Sequence, residues 1–167
     1  METCPQRRGP AIARDAGRAL DTGSARDDEA ARVLIVDDDP AVRLVCAVNL
    51  TAAGLQVLEA ADGLDALAQA QTGLPDLVLT DVTMPGLDGF ELAEGLRRDE
   101  QTRRIPLIFL SGEVGQANAE RARSLGAVAY LTKPFDPREL ASFVAREIDA
   151  ARAGPAAVAS RLPRDRR

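Results

Sequence analysis

The sequence predicts an α/β domain built on a doubly wound, five-stranded parallel sheet with helices on both faces. Short apolar runs recur five times between residues 32 and 150, and each is bounded by Gly, Pro or Asp. A segment with helical spacing of its apolar residues follows every run. Strands that alternate with helices form right-handed βα units, and such units build a parallel sheet.

The first strand is predicted at Arg32–Val36, because this continuous and partly β-branched apolar run is typical of a strand buried on both faces. Asp39 is the expected N-cap of the first helix, and Pro40 suits its first turn. The helix is predicted over 41–53 and stops at Gly54, a residue type that favours helix ends.

The second strand is predicted at 55–59. Asp62 opens the second helix, which closes at Gly73. The face of this helix that is predicted to be buried carries three apolar residues, Leu64, Leu67 and Ala68. The third strand is predicted to start at Pro75 and to end at Asp81.

Asp88 is the expected N-cap of the third helix. The predicted buried residues of that helix are Leu92, Ala93 and Leu96. The fourth strand is predicted at 105–110 and leads to Ser111. A fourth helix, at 116–125, is only weakly amphipathic and stops at Gly126.

The fifth strand, at 127–131, leads to Lys133. Asp136, Pro137 and Glu139 predict a capping box at the start of the last helix. The apolar residues at helical spacing along that helix are Leu140, Phe143, Val144 and Ile148.

We expect one domain at 32–150, a disordered N-terminal arm at 1–31 and a basic, flexible tail at 151–167. The arm has few large apolar residues and is rich in Gly, Pro, Ala, Arg and Asp. The domain holds eleven basic and nineteen acidic residues. This balance argues against nucleic acid as the main ligand and fits a site that gathers carboxylates around a cation.

Composition excludes several kinds of chemistry. Histidine is absent, which removes the commonest general base and the commonest zinc ligand. Cys4 and Cys46 lie in different contexts, so we expect no disulfide framework and a reducing compartment. Since the N-terminus lacks a signal-peptide core and no run approaches about 20 apolar residues, we expect a soluble, cytoplasmic protein without a membrane span.

Polar side chains follow four of the five predicted strands where those strands end. They are Asp37 and Asp38 after the first strand, Asp81 at the third, Ser111 after the fourth and Lys133 after the fifth. Ligands of open α/β sheets bind outside the carboxyl ends of the strands. Each residue alone has an ordinary explanation as a cap, a turn residue or a solvated charge. The joint arrangement favours phosphoryl chemistry.

Carboxylates that converge in one pocket repel one another, and a hard divalent cation such as Mg²⁺ or Mn²⁺ would compensate them. Asp81 is the candidate phosphate acceptor, and the alternative is that it caps a helix or turn. Lys133 would supply positive charge to the phosphoryl oxygens, and Ser111 a hydroxyl donor. Lys133 is the single lysine beside twenty arginines, which suggests that a compact charge is needed there.

Four segments resemble the receiver domains of two-component response regulators in sequence, order and spacing. They are VLIVDDDP at 33–40, LTDVTMPGLDGF at 79–90, LSG at 110–112 and YLTKP at 130–134. The resemblance covers residues 32–150 and implies a flavodoxin-like sheet with strand order 2-1-3-4-5.

The resemblance also implies roles for individual residues. Asp81 would be the phosphorylated residue. Asp37 and Asp38 resemble an acidic metal pair, with Asp38 the more direct ligand. Asp81 and the backbone carbonyl of Thr83 would complete the protein's share of a Mg²⁺ site.

Further roles follow from the same resemblance. Lys133 resembles a lysine that pairs with the phosphoryl group, and its bond to Pro134 is expected to be cis. Ser111 and Tyr130 resemble a switch pair, in which the hydroxyl moves to the phosphoryl group and the ring turns inward behind it. Two positions would tune the lifetime of the phosphate, Thr83 and Glu113.

The partners implied by the resemblance are a sensor histidine kinase or histidine phosphotransfer protein as donor, and a downstream protein target. A phosphorylation-dependent dimer through the fourth helix, fifth strand and fifth helix is a further expectation. Such a domain is not a conventional enzyme, because it catalyses only its own phosphorylation and dephosphorylation. The residues after position 150 are too few for an effector such as a DNA-binding domain, so we expect a stand-alone receiver.

Two other interpretations stay open. The acids after the first strand also fit a phosphatase that uses Asp37 as its nucleophile, although that class needs a cap region and the short connections here offer none. The other is a protein-binding module that works without phosphate.

Overall fold

The computed structural model describes residues 29–113 and 115–154, in which five strands alternate with five helices. The strands are β1 (Arg32–Val36), β2 (Gln56–Ala60), β3 (Leu77–Asp81), β4 (Leu107–Ser111) and β5 (Ala129–Thr132). The helices are α1 (Pro40–Ala52), α2 (Gly63–Gly73), α3 (Gly89–Arg98), α4 (Gln116–Ser124) and α5 (Pro137–Arg152). Residues 1–28 of the predicted arm and 155–167 of the predicted tail lie outside the described part.

The five strands form one parallel sheet in the order β2-β1-β3-β4-β5. This confirms the predicted fold class and strand order. The predicted bounds agree with the structure at β1 and are displaced by one or two residues at the other strands. β3, β4 and β5 each begin two residues later than predicted, and two of them, β3 and β4, begin at Leu77 and Leu107, after Pro75 and Pro106. A proline has no N–H to donate to a sheet ladder, so the regular strands begin after it.

An apolar layer packs on each face of the sheet. α1 and α5 cover one face, where Cys46 and Leu50 meet Val144 and Ile148. α2, α3 and α4 cover the other face and pack on the side chains of β1, β3 and β4 that point the opposite way, Phe109 among them. These three strands are buried on both sides over almost their whole length, as their continuous apolar sequences predict.

Aspartates cap the starts of α1, α2, α3 and α5, as predicted, but with two geometries. Asp62 and Asp88 accept from the N–H three positions on, and Asp88 forms a capping box with Glu91. Asp39 and Asp136, each followed by a proline, accept from the N–H two positions on. The predicted capping box at α5 is therefore wrong, because the Asp136 carboxylate bonds the N–H of Arg138 rather than that of Glu139.

The predicted buried face of α2 is also wrong. Leu64 is 70% exposed and Ala68 is exposed, while Leu67 is half-buried. The helix packs instead through Ala66 and Ala70. These small side chains let the helix axis approach the sheet closely. With Ala66 and Ala70 facing the sheet, α2 is rotated about its axis relative to the prediction, and the large Leu64 points toward solvent.

α4 has the weakest packing of the five helices. Ala122 is its single buried residue, in agreement with its weak predicted amphipathicity. Its carboxyl end is held by Arg97 of α3, whose guanidinium donates to the carbonyl oxygens of Leu125 at 2.9 Å and Ile105 at 2.9 Å. Arg97 had no predicted role, because its acceptors are backbone carbonyls 28 and 8 positions away in the sequence.

α1 presents an apolar patch to solvent. Leu44, Val45 and Val48 are 62%, 43% and 58% exposed, respectively, and together with Leu64 they are the exposed large apolar residues of the described part. We call Leu44, Val45 and Val48 the α1 patch. Within residues 29–113 and 115–154, none of the helices has the length and apolarity needed to cross a membrane.

Candidate functional site

The carboxyl ends of the strands bring the five predicted polar side chains to one edge of the sheet. Asp81 is the last residue of β3 and Ser111 is the last residue of β4. Asp37 and Asp38 follow β1 directly, and Lys133 follows β5. The edge therefore has the composition that the sequence predicts.

Three carboxylates meet at this edge, those of Asp37, Asp38 and Asp81, which we call the acid cluster. One oxygen each of Asp37, Asp38 and Asp81 lie within 4.8 Å of one another. Asp37 and Asp81 are buried, whereas Asp38 is exposed at the mouth. Mutual repulsion of charges at this separation is costly without a compensating cation, and Mg²⁺ prefers carboxylate and carbonyl oxygens. The residues present therefore fit the predicted divalent-cation site.

Lys133 extends into the acid cluster. Its Nζ donates to Asp37 Oδ2 at 2.8 Å and lies 3.1 Å from Asp81 Oδ1. Its backbone N–H donates to the carbonyl of Ser111 at 2.7 Å, which fixes the segment after β5 to the end of β4. The bond to Pro134 is cis, as expected from the resemblance.

The cluster changes the proton affinity of its members. Burial raises the pKa of Asp81, the neighbouring charges of Asp37 and Asp38 raise it further, and the hydrogen bond from Lys133 only partly opposes them. Burial lowers the pKa of Lys133, but its hydrogen bonds to Asp37 and Asp81 outweigh this effect, so its pKa is raised overall. Lys133 is thus held as a cation, while the charge on Asp81 carries a desolvation cost.

Asp37 has its polar atoms engaged by the protein. Its Oδ1 accepts from the N–H of Asp39 at 2.9 Å and its Oδ2 from Lys133. Its backbone N–H donates to the carbonyl of Ala60 at 3.3 Å. With 1% of its surface exposed, Asp37 is a rigid support for the cluster, whereas Asp38 is accessible.

The turn after β3 depends on Gly89. Its N–H donates to the carbonyl of Val82 at 3.0 Å, which brings the start of α3 against the end of β3. A Cβ at position 89 would collide with the carbonyl oxygen of Asp81. Only glycine fits this close approach, so the position of Asp81 depends on a residue to which the sequence analysis gave no role.

The loop after β4 links Ser111 to Tyr130. The Ser111 Oγ accepts from the N–H of Glu113 at 3.0 Å and lies 3.1 Å from its carbonyl oxygen. The hydroxyl of Tyr130 donates to the same carbonyl at 3.2 Å. Tyr130 is half-buried against the core. Thr83 lies exposed just past β3, close in sequence to Asp81.

Comparison with protein-family models matches residues 33–145 to the response regulator receiver domain. The chain belongs to this family. Receiver domains are modules of two-component signalling rather than conventional enzymes.

Curated relatives of this receiver differ in length. Protein PilH of Pseudomonas aeruginosa is 40% identical over 110 residues, which is 66% of this chain and 91% of PilH. RpaA of Synechocystis, a DNA-binding dual master transcriptional regulator, is 43% identical over 110 residues, which is 65% of this chain and 45% of RpaA. The chain spans about half the length of RpaA and of two other transcriptional regulators, PhoB and PhoP.

Solved structures agree with the fold. The chemotaxis protein CheY4 of Vibrio cholerae superposes with a TM-score of 0.67 at 36% identity, covering 71% of this receiver and 98% of that chain. A CheY-like receiver domain protein of Methanospirillum hungatei gives a TM-score of 0.70 at 29% identity, covering 75% and 98%.

Sequence reasoning missed two contributors to the receiver site besides Gly89. Arg43 of α1 donates to the backbone carbonyl of Asp37 at 2.7 Å, and the carbonyl of Glu113 is the acceptor shared by Ser111 and Tyr130. One signal for Arg43 was available. Helical side chains point back toward the helix start, so an arginine in the second turn of α1 can reach the end of β1.

Proposed function

We propose that this receiver is a phosphorylation-controlled switch in which Asp81 accepts the phosphoryl group. The observation that carries the proposal is the convergence of three carboxylates and one lysine at the ends of β1, β3 and β5. The ammonium group of Lys133 lies on one side of the three carboxylates. Together with a metal ion it would offset the negative charge of an incoming phosphoryl group.

Asp81 is the best placed of the three acids to act as nucleophile. Both carboxylate oxygens of Asp37 are hydrogen-bonded within the protein, to Asp39 and Lys133, which argues against a phosphatase that uses Asp37. Asp38 is exposed and suits a metal ligand. A carboxylate oxygen of Asp81 would attack the phosphorus of the donor, forming an acyl phosphate as the donor's bond to phosphorus breaks.

Asp38 and Asp81 would hold Mg²⁺ with the backbone carbonyl of Thr83, and Asp37 would support them. The ion, when bound, supplies positive charge for the carboxylates and the phosphoryl oxygens. Lys133 would pair with the phosphoryl group on the opposite side. Its present distance of 3.1 Å from Asp81 Oδ1 supports that role.

Ser111 and Tyr130 would report the event. If the Ser111 hydroxyl turns to the phosphoryl group, it leaves the backbone of Glu113, to which Tyr130 is also bonded. Both residues would then rearrange together with the loop before α4. Thr83 and Glu113, beside the site, would set how readily water reaches the acyl phosphate.

The experiment is phosphorylation of the purified chain by acetyl phosphate with Mg²⁺, followed by intact mass. We expect one added phosphoryl group when Mg²⁺ is present, and none when a chelator is present from the start, because the transfer step needs the cation. Beryllofluoride with Mg²⁺ should shift the amide signals of Ser111 and Tyr130. A chain that gains no phosphoryl group and shows no such shift would refute the proposal.

The partner that donates the phosphoryl group would be a histidine kinase or histidine phosphotransfer protein in the cytoplasm. We place its docking helix on the α1 patch, because α1 starts directly after the acid cluster and exposes three large apolar residues within its first three turns. An apolar helix laid there would bring its phosphohistidine to Asp81.

We expect the double variant Leu44→Glu with Val48→Glu to slow transfer from a histidine phosphotransfer domain by about tenfold or more, because a buried apolar anchor is lost. Transfer from acetyl phosphate, which needs no docking surface, should not change. Leu64→Glu is the matched control, since Leu64 is equally apolar and exposed but lies on α2. Equal rates for all three proteins with both donors would exclude the α1 patch.

The output would leave through α4, β5 and α5, either to a target protein or to a second copy of the chain. A groove of about 890 Å³ between β5 and α5 lies on this side. Its lining includes the apolar residues Leu131, Phe135 and Phe143 and the basic residues Arg138 and Arg146. A binding module independent of phosphate would use the same groove with unchanged affinity after phosphorylation.

A further inference from the structure

Arg43 connects α1 to the backbone of the acid cluster. Its Nη1 donates to the carbonyl oxygen of Asp37 at 2.7 Å, and its Nε lies 3.6 Å from Glu59 Oε2 at the end of β2. We propose that Arg43 is a positioning residue for the cation site, which acts by fixing the direction from which Asp38 enters the cluster. The inference rests on the proposed function, since it concerns the Mg²⁺ that the site would bind.

The local fold brings Arg43 to this place. Asp39 and Pro40 start α1 immediately after the acids, and Arg43 lies one turn further along. Because helical side chains tilt toward the helix start, its side chain runs back along the first turn to Asp37. Only 18% of the side chain is exposed, so water competes little for its hydrogen bond to Asp37.

The mechanical link from Arg43 to Asp38 is one peptide plane. The carbonyl of Asp37 and the backbone nitrogen of Asp38 belong to the same planar unit. The Cα of Asp38 lies in this plane too, so a hydrogen bond that fixes the carbonyl oxygen also fixes the position of that Cα. Asp38 is exposed, so its carboxylate owes its direction to this backbone.

The N–H and the carboxylate of Asp37 are also held by hydrogen bonds. Rotation of the peptide plane between Asp37 and Asp38 is therefore the motion that these bonds leave to Arg43. The N–H of Asp37 bonds to Ala60 and its carboxylate to Asp39 and Lys133. Loss of the Arg43 hydrogen bond would leave the residue anchored but free its carbonyl to turn. The distance between the carboxylates of Asp38 and Asp81 would then vary, and a metal ion would have to order them on binding.

The charge of Arg43 has the opposite effect on cation binding. A guanidinium close to the cluster repels Mg²⁺, so removing the charge alone would tighten binding. Loss of positioning weakens it. The sign of the change in affinity therefore distinguishes the two roles, and a merely structural role leaves the affinity of the folded protein unchanged.

The test is the dissociation constant for Mg²⁺ of the full chain, measured by calorimetry or amide chemical shifts. Arg43→Met, which keeps the apolar stem but no donor, should bind Mg²⁺ about tenfold more weakly, as is typical when a partner of a metal ligand is removed. Arg43→Lys keeps a donor and the charge, and should stay within about threefold of the wild type. Glu59→Gln removes the second partner of Arg43 and should change the constant less than about twofold.

Binding by folded Arg43→Met that is as tight as the wild type, or tighter, would overturn the inference. Arg43→Leu replaces this variant if it does not fold, with the same expected result. If the wild type binds Mg²⁺ and accepts a phosphoryl group, and Arg43→Met has the same dissociation constant for Mg²⁺, only the role of Arg43 is rejected. A wild-type chain that binds no Mg²⁺ rejects the proposed function as well.

Discussion

Asp81→Asn is expected to abolish phosphoryl incorporation and, in the absence of divalent cations, to raise the free energy of unfolding at neutral pH. The amide is not a nucleophile, so no acyl phosphate can form. The stability gain follows from burial, which raises the pKa of Asp81 and so penalises its charged form in the folded state. The amide oxygen can still accept from Lys133 and occupies the same volume.

The sign of the pH dependence follows from linkage. A carboxyl group whose pKa is raised by folding binds its proton more tightly in the folded state than in the unfolded state. The wild type therefore loses stability as pH rises from the ordinary value of 3.8 through the raised pKa. The advantage of Asp81→Asn should be absent at lower pH, grow across that window and stay constant above it.

Urea unfolding across this pH range, with a chelator present, measures the effect, and intact mass after acetyl phosphate treatment measures the acceptor. Asp38→Asn is the control, because it changes an exposed acid of the same cluster and leaves the acceptor, Asp81, in place. It should accept the phosphoryl group, only more slowly. An Asp81→Asn chain labelled as fully as the wild type would show that another residue is the acceptor.

Lys133→Met is expected to destabilise the metal-free protein by about 2–4 kcal/mol, because removing one partner of a buried ion pair leaves the other charges uncompensated. Nζ pairs with Asp37 at 2.8 Å and with Asp81 at 3.1 Å. The Lys133 side chain is 24% exposed, so the effect should fall below that of a fully buried pair. Phosphorylation by acetyl phosphate should also be slowed, since the phosphoryl oxygens lose their cation.

Mg²⁺ should recover part of the loss, because a cation among the three carboxylates replaces the missing charge. The pKa of Lys133 is raised above its ordinary value of 10.5, so its contribution is complete below that pH and disappears as pH rises through the raised value. Wild type and variant should therefore converge in strong alkali. Denaturant unfolding with and without Mg²⁺ measures both effects.

Lys133→Arg is the informative control. It keeps the charge, so most of the stability should remain, but its planar fork cannot replace a compact ammonium between two carboxylates. We expect a stable protein with slow phosphorylation. Equal stability of Lys133→Met and the wild type in a chelator would show that the ion pairs contribute nothing.

The sequence predicted the sheet because each strand is a separate apolar run and each helix has its own start. The same regularity placed Asp81, Ser111 and Lys133, since strand ends of a parallel sheet share one edge. The rotation of α2 could not be predicted in this way. Leu64 is the more apolar choice for the core, but close packing on Ala66 and Ala70 decides the orientation.

Contacts to the backbone were the second kind of feature that the sequence hid. Arg43 and Arg97 each donate to carbonyl oxygens, and a carbonyl is present at every position of the chain. Gly89 is needed because a neighbouring carbonyl comes too close for a Cβ. The acceptor of Arg97 at Leu125 lies 28 positions away, so residue types alone carry no record of that contact. Arg43 lies only six positions from Asp37, and the backward tilt of helical side chains was the one signal for it.

The hydrogen bond from Tyr130 to Glu113 has a practical consequence. The chain contains one tyrosine and no tryptophan, so its near-ultraviolet tyrosine absorbance and emission come from Tyr130 alone. That phenol is bonded through its hydroxyl to the loop beside Ser111. The protein therefore carries its own optical reporter, and an unlabelled stopped-flow trace would follow the phenol in real time without any engineered dye.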